Sequence, residues 1–162
     1  MSSPTSEPNP EFVPMIALVH RLNRVLQQDM VREAHTRGYT ELKNSHNGVF
    51  ATLDREGSRA ADMAAQMGMT RQSMGETVRE MAELGLVKMQ PDPDDRRAKL
   101  VTWTEEGLAM AQDGYQHILD LERAFSAEFG EERYAWLREA IARMTAMLSD
   151  PAAGPLPEGP TT

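Results

Sequence analysis

The chain has 162 residues, a length that suits one domain or a small binding module with additional helices. Hydrophobic residues make up 40% of it and charged residues 26%, a balance that excludes a fibrous or largely disordered chain. The absence of cysteine excludes disulfides, a thiol redox sensor and Cys-ligated zinc. The apolar run Met15–Val19 is too short to span a bilayer, and no basic region followed by an apolar leader is present. We therefore expect no membrane association, no secretory signal and a cytoplasmic location.

Two segments rich in Pro, Ser, Gly and Thr, residues 1–10 and 149–162, are predicted to be disordered tails because they hold too little apolar surface to fold. The remaining residues, 11–148, are predicted to form a single domain. Its first element is a helix from about Phe12 to Thr36, where apolar residues recur three and four positions apart. Gly38 is placed to end that helix.

Three more helices are predicted before the pattern changes. One covers Leu42 to Asp54. A short one begins after Ser58, a residue type suited to capping it, and stops at Gly68. The third begins after Thr70, another capping residue, and runs to about Leu84. A short helix, a tight turn and a second helix in this order form a helix-turn-helix.

A β-hairpin is predicted next. Two strand-like runs, Leu86–Met89 and Ala98–Trp103, flank a loop of turn formers and charges over 90–97. Thr104 then caps a helix with acidic residues in its first turn, and a last helix has heptad-like apolar spacing over Tyr134–Leu148. Such spacing suits packing against another helix.

The predicted fold is therefore mainly α with a small β-hairpin wing. A winged helix-turn-helix is expected over about 42–103, with flanking helices at 11–37 and 104–148.

The second helix of this motif is the first candidate for DNA contact, since its N-terminal half enters the major groove in such proteins. Met74, Val78 and Met81 fall on one side and are predicted to pack inward. Arginine and glutamine can contact guanine and adenine edges, and a glycine permits close approach of the backbone. The predicted DNA-binding positions are Thr70, Arg71, Gln72, Ser73, Gly75, Glu76 and Arg79. A solvated polar helix face explains this pattern equally well, so the helix alone leaves both interpretations open.

The hairpin loop carries a second candidate cluster, Asp95, Arg96 and Arg97. Arginine suits a narrow minor groove, whose negative potential attracts the guanidinium. Asp95 is spaced to orient the Arg97 guanidinium by a charge-assisted bond. Taken alone, the cluster is better explained as a solvated hairpin tip.

Five stretches follow one another in a distinctive order: Asp62-Met63-Ala64, Gly68–Ser73, Leu84–Val87, Asp92–Ala98 and Trp103–Gly107. Together they resemble the MarR (multiple antibiotic resistance regulator) family of winged helix-turn-helix transcriptional regulators. The resemblance implies a homodimeric regulator of double-stranded DNA, most often a repressor, whose first and last two helices form the dimer interface. It implies that Arg71, Gln72 and Ser73 read the major groove and that Arg97, held by Asp95, is the wing arginine.

The resemblance also implies an effector pocket between the dimerisation helices and the winged domain, filled by a small phenolic or aromatic carboxylate. Residues suited to line it are His20, Arg24, His46, Phe50, Trp103 and His117. Surface or satisfied histidines, and core positions for the two aromatic residues, are the competing interpretations. The histidines lack metal-ligand spacing, and no catalytic motif is recognisable, so neither a metal, a cofactor nor an enzymatic activity is predicted.

Charge supplies the main argument for an alternative function. The whole chain has a formal charge of -8, although the segment from Ser58 to Thr102 holds seven basic and seven acidic residues and is neutral. Glu76 and Glu80 stand where the family often has basic residues, and acidic groups that face phosphates weaken binding. The alternative is a ligand-binding or protein-interaction module on the same fold that has weakened or lost DNA binding.

Overall fold

A computed structural model describes residues 12–93, 95 and 97–149. The chain divides into two compact units, Met1–Gly114 and Tyr115–Thr162, so that the boundary falls within one long helix. Residues 1–10 and most of the second predicted tail lie outside the described residues. Ser149, predicted to begin that tail, is instead the last residue of a helix.

The described elements are six α-helices, one 3₁₀ turn and three short strands. In chain order they are α1 (Met15–Thr36), the 3₁₀ turn (Asn44–His46), α2 (Asn47–Thr52), β1 (Ser58–Arg59), α3 (Ala60–Met67), α4 (Arg71–Glu83), β2 (Val87–Pro91), β3 (Lys99–Trp103), α5 (Glu105–Phe129) and α6 (Glu131–Ser149). The prediction of a mainly helical chain with a hairpin wing is confirmed.

The turn between α3 and α4 follows directly from its residue types. Gly68 ends α3 with φ 63°, a left-handed conformation that costs glycine little. Two residues later the hydroxyl of Thr70 accepts the backbone N–H of Ser73 at 3.1 Å, which caps α4 as predicted. The residue at which α4 starts is therefore fixed by local chemistry.

Two local predictions were wrong. The helix predicted from Leu42 begins instead as the 3₁₀ turn, and α2 ends at Thr52. Ser58 does not cap α3: it lies in β1, and its hydroxyl accepts the Asp54 N–H at 3.0 Å and donates to the Thr52 carbonyl at 3.2 Å. The strand was missed because two residues are too short to show an alternating pattern.

The three strands form an antiparallel sheet in the order β1-β3-β2. Ser58 lies opposite Val101, and the hairpin register pairs Val87 with Trp103 and Met89 with Val101. β1 therefore covers one edge of β3 and joins the entrance of α3 to the hairpin.

The core of the first unit lies beneath α4. The inward positions predicted for Met74, Val78 and Met81 are confirmed, since all three are almost completely buried. They pack with residues from α2, α3, the hairpin and α5, namely Val49, Met63, Leu86, Val87, Val101 and Met110.

α5 begins in close contact with the residue before the hairpin. The Leu86 carbonyl accepts the backbone N–H of Thr104 at 3.1 Å, and the Thr104 hydroxyl donates to the Gly85 carbonyl at 2.7 Å. The Thr104 hydroxyl in turn accepts the Gly107 N–H at 3.0 Å and so caps α5, as predicted. A Cβ at Gly107 would lie 1.8 Å from the Leu86 carbonyl oxygen, so only glycine fits this contact.

Apolar surface remains uncovered on both units. Every residue of α1 is exposed or half-buried, and about half or more of each of the following side chains is exposed: Met15, Ile16, Leu18, Val19, Leu22 and Val25. In the second unit the Phe125 and Tyr134 rings lie 6.1 Å apart. Its exposed large apolar residues are Tyr115, Ile118, Phe129, Leu137, Ile141, Met147 and Leu148. Among the described residues, no helix has the length and apolarity that a membrane crossing needs.

Candidate nucleic-acid interface

α4 presents a polar face opposite its buried methionines. Arg71, Gln72 and Arg79 are exposed, as is Glu76, whose carboxylate accepts a hydrogen bond from the Gln72 amide at 3.0 Å. Ser73 and Gly75 are half-buried. Around Gly75 the surface is open: a Cβ there would meet only the Arg79 guanidinium, at 3.9 Å. This face can therefore offer two guanidinium groups, one amide and an uncovered stretch of backbone to a ligand.

Glu80 lies one turn further along α4, and its carboxylate is engaged by cationic and polar groups. Its Oε2 lies 3.1 Å from the Lys43 Nζ and 3.0 Å from the His46 Nε2. The hydrogen bond from His46, followed by the hydrogen bond and charge of Lys43, lowers the pKa of Glu80 below its ordinary value. The negative charge that sequence reasoning grouped with that of Glu76 is thus paired within the protein.

The wing loop is shaped by Asp95. Its Oδ1 accepts the backbone N–H of Arg97 at 3.0 Å, and its carbonyl accepts the Ala98 N–H at 2.8 Å. The bond observed between Asp95 and Arg97 therefore goes to the backbone, and the predicted bond to the guanidinium stays a prediction. Arg97 is exposed. Arg96 lies outside the described residues.

Sequence reasoning missed the ion pair at the base of the wing. The Arg59 Nε lies 2.6 Å from the Asp92 Oδ2, and Asp92 is only 4% exposed. The pKa of Arg59 is raised above its ordinary value, chiefly by this hydrogen bond. The pair joins β1 to the residue that follows β2. The sequence shows an arginine before α3 and an aspartate after β2. Because β1 was not predicted, nothing indicated that these two residues meet.

The six predicted effector residues have different surroundings. His20 and Arg24 are exposed on α1, and His46 is buried against Glu80. Phe50 and Trp103 stack with ring centroids 5.4 Å apart, and the Trp103 indole donates to the Leu53 carbonyl at 3.3 Å. His117 is half-buried in the second unit. The structure thus brings the two aromatic residues together at the edge of the core.

A depression of about 340 Å³ lies in the second unit and is lined by other residues, namely Glu128, Phe129, Arg133, Trp136 and Leu137. Within the part of the chain that is described, no group of three or more His, Asp or Glu residues could hold a metal ion.

Comparison with known proteins supports the winged helix-turn-helix fold. The MarR-family model matches residues 42–98, from the start of the 3₁₀-turn region to the end of the wing loop. A MarR-family transcriptional regulator from Rhodococcus sp. RHA1 has 22% identity and a TM-score of 0.63, with 86% of this chain and 95% of that one covered. No curated protein sequence matches the chain.

Two further solved structures were determined with ligands. CouR from Rhodococcus jostii RHA1, bound to p-coumaroyl-CoA, has 22% identity and a TM-score of 0.66 over 87% of this chain and 95% of that one. A mutant of MepR from S. aureus, bound to an oligodeoxyribonucleotide, has 17% identity and a TM-score of 0.53 over 85% and 98%. At these identities the structures establish a shared fold.

Proposed function

We propose that this chain, whose residues 42–98 match the MarR-family model, is a sequence-specific DNA-binding transcriptional regulator that acts as a homodimeric repressor. The observation that carries the proposal is α4, which is capped at a fixed turn and buries methionines on one side. Its other side exposes Arg71, Gln72 and Arg79. The bound oligodeoxyribonucleotide in the MepR structure supports the same use of the fold.

In this proposal α4 enters the major groove. Arg71 and Gln72 reach base edges, Ser73 and Thr70 contact the adjacent backbone, and Gly75 allows close approach. Glu76 and Arg79 then set the charge of the rest of the face. Asp95 shapes the wing so that Arg96 and Arg97 meet the minor groove.

We propose the uncovered apolar faces of α1, α5 and α6 as the dimer interface. Exposed apolar helix faces of this kind mark association, and a two-fold dimer lets each face cover its counterpart. Two copies of α4 would then meet successive major grooves about 34 Å apart on a pseudo-palindromic site. Sedimentation of the full chain is expected to give a dimer of 18.1 kDa subunits, and a stable monomer would contradict this interface.

The proposal includes an aromatic effector that regulates DNA binding. CouR was solved with p-coumaroyl-CoA, an aromatic acyl thioester, which supports a ligand of that general class. We propose that, in the dimer, His20, Arg24, His46, Phe50, Trp103 and His117 contribute to its pocket. Such a ligand would lower DNA affinity by favouring a different spacing of the two α4 helices. Catalysis and cofactors have no part in this proposal, and a bacterial-type regulator of this kind would act in the cytoplasm.

Salt-titrated binding to the DNA upstream of the chain's own gene tests the proposal. Specific binding should weaken with salt, with a log–log slope of about −5 if about six phosphates are contacted. Arg97→Ala should reduce affinity by about tenfold or more. Arg123→Ala, which removes an exposed arginine from the second unit, should leave affinity unchanged.

Absence of specific binding even at low salt would refute the DNA-binding function. It would favour the alternative of a ligand-binding or protein-interaction module, whose main support is the exposed carboxylate of Glu76 in the middle of α4.

A further inference from the structure

Glu80 connects α4 to a distant part of the chain. Its two partners, Lys43 and His46, lie 37 and 34 residues earlier, in the segment that joins α1 to α2. Their distances to its Oε2 are 3.1 Å and 3.0 Å. Glu76, one turn earlier, is bonded instead to Gln72 within α4 itself. Glu76 and Glu80 therefore differ in the residues that they contact.

The contacts of the His46 ring show which of its nitrogens donates to Glu80. The Lys43 backbone N–H points to the His46 Nδ1 at 3.3 Å, so Nδ1 must be the acceptor. The ring proton is then on Nε2 and is donated to the Glu80 carboxylate. His46 is 1% exposed, so in the folded protein the Glu80 carboxylate takes the place of water as the acceptor of this N–H. An acceptor at position 80 thus keeps the N–H satisfied within the fold.

The connection continues to the dimerisation helices. The His35 ring, on α1, donates from Nε2 to the Leu42 carbonyl at 2.9 Å, because a carbonyl oxygen can only accept. Two residues after His35, the Arg37 guanidinium lies 3.5 Å from the Asp113 carboxylate of α5. Polar contacts thus lead from α4 through residues 42–46 to the end of α1 and the first half of α5.

We propose that Glu80 is a positioning residue for DNA recognition: its carboxylate holds α4 to the segment after α1, so that the orientation of α4 follows the dimerisation helices. The proposal rests on the DNA-binding function proposed above. It reverses the expectation drawn from charge alone. A carboxylate that merely repelled phosphates would weaken binding, so its removal would strengthen binding. A carboxylate that positions the helix has the opposite effect.

The matched pair Glu80→Ala and Glu76→Ala separates the two views, because each removes one carboxylate from α4 and introduces the same helix-favouring residue. The probe is a DNA duplex enriched from a random library by the wild-type full chain. We expect Glu80→Ala to lower affinity about tenfold, with a shallower salt slope because phosphate contacts are lost. We expect Glu76→Ala to raise affinity about threefold.

Rescue distinguishes positioning from a general loss of stability. Glu80→Gln keeps an acceptor for the His46 N–H and should bind within about twofold of wild type. Adding His46→Ala to Glu80→Ala should cost less than the sum of the two single changes, since both remove the hydrogen bond between His46 and Glu80. If Glu80→Ala binds as tightly as wild type or more tightly, the proposal is overturned.

Hydrogen exchange tests the connection without DNA. Amide protection over residues 77–83 should fall in Glu80→Ala and stay unchanged in Glu76→Ala. Unchanged protection in both variants would overturn the proposal. If the wild-type chain enriches no duplex, the proposed function fails first, and the exchange result still shows whether Glu80 holds the helix.

Discussion

Replacement of Gly107 by alanine should separate α5 from the winged domain. The added Cβ would lie 1.8 Å from the Leu86 carbonyl oxygen and 2.7 Å from its carbon, whereas ordinary contacts begin at 3.4 Å. Relief requires α5 or the backbone at Leu86 to move by about 1.5 Å, since neither side of the contact is a flexible side chain. That movement stretches the hydrogen bonds from the backbone N–H of Thr104 to Leu86 and from its hydroxyl to Gly85. Overpacking of 1–3 kcal/mol and weakening of these bonds together predict a loss of about 3 kcal/mol.

Urea and thermal denaturation followed by circular dichroism, at one fixed protein concentration, measure this loss. For a chain of this size about 3 kcal/mol corresponds to a Tm lowered by about 6–12 °C. Gly114→Ala is the matched control on the same helix: its Cβ would meet only the Met30 Cε, at 3.5 Å. Alanine there should stabilise by about 0.5–1 kcal/mol. Equal effects of the two substitutions would refute the steric argument.

Three further outcomes can be measured on the same material. Thr70→Ala should cost about 1 kcal/mol of stability, because the Ser73 N–H loses its cap, and urea midpoints would show it. The hydrogen bond from His46 is the main cause of the lowered pKa of Glu80. The ionised Glu80 carboxylate therefore stabilises the fold above its ordinary pKa of 4.5, and this stabilisation is lost as pH falls through the lowered pKa of the folded state. The difference in unfolding free energy between wild type and Glu80→Gln should therefore shrink below about pH 4.5, and a constant difference from pH 6 to 3 would contradict this. Burial raises the pKa of Tyr134, so its stabilisation is present below 10.0 and lost as pH rises through the raised value. Tyrosinate absorbance should show one late-titrating tyrosine that is absent from Tyr134→Phe.

Local chemistry made much of the fold predictable. Gly68 ends α3 because it lacks a side chain, and Thr70 begins α4 because its hydroxyl caps the helix. The apolar spacing of α4 identified its buried face correctly. The strand β1 could not be found in this way, because Ser58 and Arg59 owe their conformation to pairing with residues more than 40 positions later.

The exposed face of α4 was predictable from the sequence, whereas the long-range contacts that hold α4 were not. Arg71 and Gln72 are exposed because they lie opposite an apolar stripe, which a single helix reveals. Glu80 has the same residue type as Glu76 but a different role, and only the distant His46 distinguishes them. Contacts between residues far apart in the chain leave no periodic trace in the sequence.

Methionine makes up much of the buried side of α4, which affects how the helix is held. Met74 and Met81 are its largest inward side chains, and Met63 of α3 lies in the same core. Methionine is unbranched and polarizable, so it fills irregular space and can adopt new rotamers as its neighbours move. We therefore expect the apolar layer to tolerate small shifts of α4, so that the polar contacts of Glu80 with Lys43 and His46 set the angle of the helix.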